Sequence, residues 1–391
     1  MEVLDELQDS YEKYLVSKAD RMHIPLGATF ELSPLCNFRC RMCYIEQKQA
    51  QVVEAGGLQP VDFWLNLARQ AVEAGTLYVL LTGGETLMYP GFRELYKGLK
   101  QLGMYIIINT NGSLLDEDMI HFLGEDPPKR LNVSLYGASH ETYERLCGQG
   151  QMFRRVLHNL ESIKEYNKQF YEGLSPEEIH QKQPGIPLRI HTMLPPDNYE
   201  DYEGIVAIAN RLQLPLAFVP YVFPSVRKGD ASLNLQARFD ACTAGCMKFR
   251  NQMNAHIENP AEHIHKILDQ VLNYQKDPYY GLRGVACRGG ISSYWVNWKG
   301  QMSSCGMIPG PWFDLKKNTF DTCWQKVRQA TDQLQIHEDC AVCPKRSSCQ
   351  ICAASAYAET GDFAGKPQYL CDMTDQFLKL IEKEAEKYTE G

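Results

Sequence analysis

No stretch of this 391-residue chain approaches the roughly 18 apolar residues of a membrane span, which excludes a helical membrane protein. The opening MEVLDELQDSYEKYLV lacks the basic start and apolar run of a secretory signal, so a cytoplasmic location with no membrane partner is expected. There is no Lys/Arg block, and 40 basic against 48 acidic residues leave a net charge of −8. That balance argues against a nucleic-acid partner held through its phosphates. Internal repeats and low-complexity tracts are missing too, and 44% apolar with 23% charged residues excludes wholesale disorder and fibrous architectures. What the chain does have is 14 cysteines, too few for a disulfide scaffold at this length. In a reducing compartment they point to metal or redox chemistry.

Strand and helix signals alternate along most of the chain. Apolar or alternating runs fall at Gly27–Ser33, Leu77–Thr82, Met104–Thr110, Leu131–Leu135, Pro187–Met193 and Leu216–Val222, each ending in a turn signal. Helix-period segments lie between them, among them Val61–Ala74, Gly91–Gln101, His140–Leu146, Phe153–Asn167 and Tyr199–Arg211, after an amphipathic lead-in over residues 2–19. Six such units predict an α/β fold, a mostly parallel sheet with covering helices. Parallel strands put ligand-binding groups at their C-terminal ends, where the unusual residues occur: Cys36 to Cys43, then Gly83-Gly84-Glu85, then Asn109 to Gly112. Tyr171–Gln183 reads as a surface insertion and residues 226–281 as bridging helices. After Gly281 cysteines and glycines dominate and periodicity weakens until a last helix, Asp375–Lys387. Apolar residues are thin there, so bound metal is expected to contribute to its folding.

Cys36, Cys40 and Cys43 lie in CNFRCRMCY on the loop after strand one. Three thiolates on a short loop can hold three irons of a four-iron cluster and leave the fourth without a protein ligand. A structural zinc, the alternative, wants four protein ligands, and no fourth Cys or His is close by in sequence.

This spacing, with Tyr44 directly after the third Cys, resembles the radical S-adenosylmethionine superfamily. The resemblance implies a partial (β/α)6 TIM-like barrel, an open iron that chelates S-adenosylmethionine, and reductive cleavage to methionine and a 5′-deoxyadenosyl radical. By the same resemblance Gly83, Gly84 and Glu85 would orient the methionine amino group, and Asn109 and Asn111 would bind ribose. Ser134 and Arg145 are similar to positions that contact ribose and the methionine carboxylate, while His191 and Met193 read as lining or core residues.

Downstream the chain reads Cys287, Cys305, then Cys340 and Cys343, Cys349 and Cys352, and finally Cys371. Seven cysteines cannot be one tetrahedral site, although they could be two. The pattern resembles the SPASM extension, a small Cys-rich α+β domain with two auxiliary four-iron clusters. Carried over by order, Cys287, Cys305 and Cys352 would serve the first, and Cys340, Cys343, Cys349 and Cys371 the second. Cys349 and Cys352 are spaced by two residues where the commonest form has three, and the first set lacks a fourth ligand. The expected organisation is a lead-in over 1–24, a barrel over 25–225, bridging helices over 226–281 and the extension over 282–391.

The resemblance implies hydrogen abstraction from a peptide or protein substrate, with an external electron donor of the flavodoxin or ferredoxin type. A sulfatase-maturing role is disfavoured because Gly306, not an acidic residue, follows Cys305. Oxidation of a small molecule such as a tetrapyrrole precursor or a sugar stays open, as does a non-catalytic iron–sulfur carrier.

Overall fold

The computed structural model describes residues 10–175, 185–219, 221–227, 235–254, 259–276, 281, 284–349 and 351–388. Helix α1 (Ser10–Met22) leads into β1 (Gly27–Glu31); the first nine residues of the expected lead-in lie outside the described residues. The order continues α2 (Gln49–Glu54), α3 (Val61–Glu73), β2 (Tyr78–Thr82), α4 (Phe92–Gln101), β3 (Tyr105–Thr110) and α5 (Glu117–Glu125). Then come β4 (Arg130–Ser134), α6 (His140–Cys147), α7 (Met152–Tyr171), β5 (Leu188–Met193), α8 (Tyr202–Leu212) and β6 (Leu216–Val219). Most of the expected insertion, residues 176–183, also falls outside the described residues.

The six strands stand side by side, all parallel, in the order β6-β5-β4-β3-β2-β1. This is the parallel sheet that the alternation predicts, in the open, partial (β/α)6 form that the resemblance implies. Register divides each strand by face, because paired residues point the same way. Phe30, Leu81, Ile108, Val133 and Ile190 join Trp64, Leu67, Leu95 and Leu99 in the core beneath the helices. Phe30 and Trp64 of α3 have ring centroids 5.1 Å apart, and burying each such side chain is worth about 1.5–3 kcal/mol. The opposite, inner face is polar toward the strands' C-terminal ends: Glu31 pairs with Thr82, Asn109 with Asn132, and Ser134 with His191.

Helix α1 covers the other end of that inner face. Val16 and Ala19 pack on Leu26, Tyr78, Leu80 and Ile107, while Glu12 accepts hydrogen bonds from Tyr78 and Lys129. Among the described residues this packing closes that end of the sheet, and the polar C-terminal ends of the strands lie opposite it.

The rest of the described residues include α9 (Ala241–Asn254), α10 (Pro260–Leu272), β7 (Ser293–Val296), β8 (Gln301–Ser303), β9 (Phe313–Asp314), α11 (Phe320–Asp332), α12 (Ala353–Thr360) and α13 (Gln368–Glu386), with two four-residue helices at Glu338–Ala341 and Arg346–Cys349. β7 adds to β1 in parallel, with Gly27 opposite Ser293, and β8 and β9 follow antiparallel. One nine-stranded sheet therefore joins the barrel to the Cys-rich region. Helix α11, unforeseen, starts at the Thr319 cap and buries Phe320, Cys323, Trp324 and Val327 in the main core. The last helix begins earlier than expected, at Gln368, so Cys371 sits in its first turn. No helix among the described residues is long and apolar enough to cross a membrane.

Candidate active site

The loop after β1 carries Cys36, Cys40 and Cys43 at the open end of the inner face. It is pinned where α6 ends: Arg39 and Arg41 donate backbone N–H groups to the carbonyls of Cys147 and Leu146, at 2.9 and 3.1 Å. Those carbonyls have no partner within their own helix, so the loop satisfies them. Phe38 is buried edge-on to Tyr143, with centroids 6.3 Å apart. Backbone donors point at the sulfurs: Phe38 N–H to Cys36 Sγ at 3.3 Å and Glu46 N–H to Cys43 Sγ at 3.2 Å. Burial pushes the Cys36 thiol far up, and the Phe38 N–H pulls it part of the way back. Such donors stabilise a thiolate and tune a cluster, so this loop fits a bound iron–sulfur group.

The two glycines after β2 face this loop at close range. A Cβ on Gly84 would stand 2.3 Å from the Leu35 carbonyl oxygen, and one on Gly83 would stand 2.4 Å from that of Ser33. Bare backbone lets Gly84 N–H reach Ser33 O at 2.7 Å and Glu85 N–H reach Leu35 O at 2.9 Å. The close approach is therefore to the cysteine loop itself. Glu85 is wholly buried, and its carboxylate accepts from Leu87 N–H at 2.9 Å, Thr110 Oγ1–H at 2.7 Å and Asn111 N–H at 2.7 Å. Burial raises its pKa and those three bonds lower it, with burial the larger effect. Its contacts make Glu85 a strut between the ends of β2 and β3.

Asn109 and Asn111 have different surroundings. Asn109 Oδ1 accepts from Asn132 Nδ2 at 2.7 Å across β3 and β4. Asn111 Nδ2 donates to Asn37 Oδ1 at 2.8 Å and lies 3.7 Å from Cys36 Sγ, tying β3 to the cysteine loop. Ser134 stands half-buried on the inner face beside His191. Arg145 donates to the Asp197 carbonyl at 3.1 Å, and Arg41 pairs with the Asp197 carboxylate at 2.9 Å. Both arginines thus gather at one rim.

The downstream cysteines form two sets. The Cys287 thiol, pushed up to about 12 by burial, is also raised by Cys305 and Cys352, and Cys305 in turn by Cys352. Cys340, pushed up to about 11, is raised further by Cys371, Cys349 and Cys343. Gly289 N–H lies 3.4 Å from Cys287 Sγ and Met307 N–H 3.3 Å from Cys305 Sγ, repeating the pattern at the first loop. Cys147 and Cys323 are buried in the main core, Cys242 is exposed, and Cys246 receives a bond from Gln376. Among the described residues no three His, Cys, Asp or Glu side chains gather as a single metal ion would need.

The Radical SAM superfamily signature matches residues 30–209. The barrel of this chain is a Radical SAM superfamily domain. It is 23% identical over 355 residues to an AdoMet-dependent heme synthase of Methanosarcina barkeri, covering 88% of this chain and 96% of that one. It is 22% identical over 389 residues to a PqqA peptide cyclase of Bradyrhizobium diazoefficiens, covering 95% and 93%. The solved structure of Streptococcus suis SuiB bound to precursor peptide SuiA superposes with a TM-score of 0.61 at 15% identity, over 94% of this chain and 82% of that one. Membership makes this radical SAM chain an enzyme that uses S-adenosylmethionine and a four-iron cluster.

One cluster of side chains escaped the sequence reading. Glu31, 0% exposed at the end of β1, pairs bidentately with Arg227 and accepts from Trp295 Nε1 at 3.1 Å. The Arg227 guanidinium lies over the Tyr44 ring at 5.6 Å and the Trp312 ring at 5.4 Å. Burial works against its charge, and Glu31 more than restores it, with Tyr44 and Cys305 adding smaller contributions. The group therefore stands between the two cysteine loops of this radical SAM fold. A carboxylate closing the otherwise uncharged run of β1 was the available signal.

Proposed function

We propose that this enzyme modifies a peptide by hydrogen abstraction, with Cys36, Cys40 and Cys43 holding the radical-generating cluster. When bound, that cluster supplies the electron that cleaves S-adenosylmethionine to methionine and a 5′-deoxyadenosyl radical, the species that takes hydrogen from substrate. The observation that carries the reading is the Cys36–Cys43 loop, with N–H groups on its sulfurs, at the polar open end of a barrel whose other end α1 covers. Gly83, Gly84, Asn109, Asn111, Ser134, Arg145 and Tyr44 frame the cofactor, and Glu85 acts by fixing the ends of β2 and β3. Cys287, Cys305 and Cys352 hold one auxiliary cluster and Cys340, Cys343, Cys349 and Cys371 another, in an extension over residues 282–391. An external flavodoxin- or ferredoxin-type carrier delivers electrons, and the reaction takes place in the cytoplasm. The peptide cyclase relative supports this substrate class.

A second reading, oxidation of a tetrapyrrole precursor, is favoured by the heme synthase relative, 96% of whose length is covered. The first test is anaerobic reconstitution under dithionite. The wild type is expected to release 5′-deoxyadenosine, while the Cys36→Ala, Cys40→Ala, Cys43→Ala triple variant releases none above background. Equal release by both sinks the reading. Iron content of about twelve per chain supports three clusters, and about four refutes the auxiliary pair.

A further inference from the structure

Beside the Glu31–Arg227 pair lies a cavity of about 220 Å³, walled by Ile45, Pro309, Trp298 and Trp312. Arg227, Glu31 and Lys299 also line it. The Arg227 side chain is only 14% exposed, yet its Nε–H has no acceptor among the described residues. A buried donor left without an acceptor is costly, and a ligand oxygen would remove that cost. Lys299, exposed at the edge of the cavity with its ammonium 5.2 Å from the Trp298 ring, supplies a second donor. One carboxylate against two cations leaves the cavity with a surplus positive charge. Two aromatic walls next to that surplus suit a short apolar arm ending in an anion.

We infer that this cavity is a substrate subsite for a carboxylate-bearing arm, held by Arg227 Nε–H and Lys299 between the Cys43 and Cys305 loops. The inference rests on the proposed function and deepens it: a glutamate of a peptide and a propionate of a tetrapyrrole offer the same group. Seated here, the arm would lie near Tyr44, which directly follows Cys43, so it would fix which part of the substrate faces the radical-generating loop.

The test uses anaerobically reconstituted full-length protein and isothermal titration with two matched pairs. These are coproporphyrin III against its tetramethyl ester, and acetyl-Gly-Gly-Glu-Gly-Gly-amide against its Gln counterpart. In at least one pair the acid is expected to bind more tightly than its neutral partner, and the pair that discriminates identifies the source. Arg227→Lys keeps a charge for Glu31 but loses the extra N–H, and should cut that preference about tenfold or more. Lys299→Gln, an exposed change, should cut it about two- to fivefold. If Arg227→Lys does not fold, the Glu31→Gln, Arg227→Gln double variant, which buries no charge, replaces it with the same expected loss. No acid preference in either pair overturns the inference, as does a preference that survives the Arg227 substitution. Release of 5′-deoxyadenosine by wild type is scored separately, so failure of the enzyme reading and failure of the subsite are distinguishable.

Discussion

Glu85→Gln separates a strut from a cofactor ligand. In the wild type, Oε1 accepts from Leu87 N–H and Thr110 Oγ1–H, and Oε2 accepts from Asn111 N–H, all inside a site with 0% exposure. The amide can keep an oxygen toward the first two donors, but then its NH₂ meets the Asn111 N–H and two donors face each other. A buried donor left unsatisfied costs about 1–3 kcal/mol, and charge-assisted bonds become neutral ones. Removing the charge offsets part of this, because burial penalises the carboxylate. The net expectation is about 1–3 kcal/mol of destabilisation, or about 3–8 °C in Tm on the scale of large domains. Glu85→Ala leaves three donors bare and should cost more than Gln. The assay is thermal and urea unfolding of cluster-free protein under reductant, followed by circular dichroism, with S-adenosylmethionine binding measured in parallel on reconstituted protein. Unfolding of Glu85→Gln at the wild-type midpoint refutes the strut. Lost cofactor binding at unchanged stability would return the carboxylate to the methionine ammonium.

Gly84→Ala places a Cβ 2.3 Å from a backbone oxygen that cannot rotate away, so the Cys36 loop must shift; iron per chain should fall by about four while the downstream sites still load. Glu31→Leu leaves the Arg227 guanidinium buried without its partner and should cost about 3–5 kcal/mol by urea unfolding; a loss under about 1 kcal/mol would show that water reaches the pair. Lys248, on α9, donates to the Ser348 carbonyl, and burial holds its amine down to about 8. Its unfolded value is about 10.4, so between those values the unfolded chain binds the extra proton and this one group adds stability as pH rises from about 8 to about 10, against the fall that the raised Cys36, Cys287 and Cys340 thiols impose on the cluster-free protein over the same window. The lysine's share, about 3 kcal/mol, is read as the difference between wild type and Lys248→Met across that window; a difference that does not change with pH contradicts it.

What could be read from the sequence follows from the range of the interactions involved. Strand–helix alternation is local, so all six barrel strands and the loops at their ends could be placed in advance, and cysteine spacing is local within each loop. Helix α11 was equally local: Phe320, Cys323, Trp324 and Val327 recur at helical spacing, but glycines and cysteines on either side masked the period. The role of Gly84 could not be read, because the backbone it approaches belongs to Leu35, and a glycine pair looks the same whether ligand or protein comes close. Arg227 was invisible for a stronger reason. Its partner lies 196 residues earlier, on another element. Yet Glu31 implied that such a partner exists: a carboxylate on a buried parallel strand, whose backbone donors are taken up by the sheet, keeps its charge most readily beside a cation. A charged residue ending an apolar strand is thus a request for a distant cation. In this barrel the cation that answers it also ties the Tyr44 loop to the Cys305 loop, so the same pair that makes a buried carboxylate tolerable sets the spacing between the two cysteine loops.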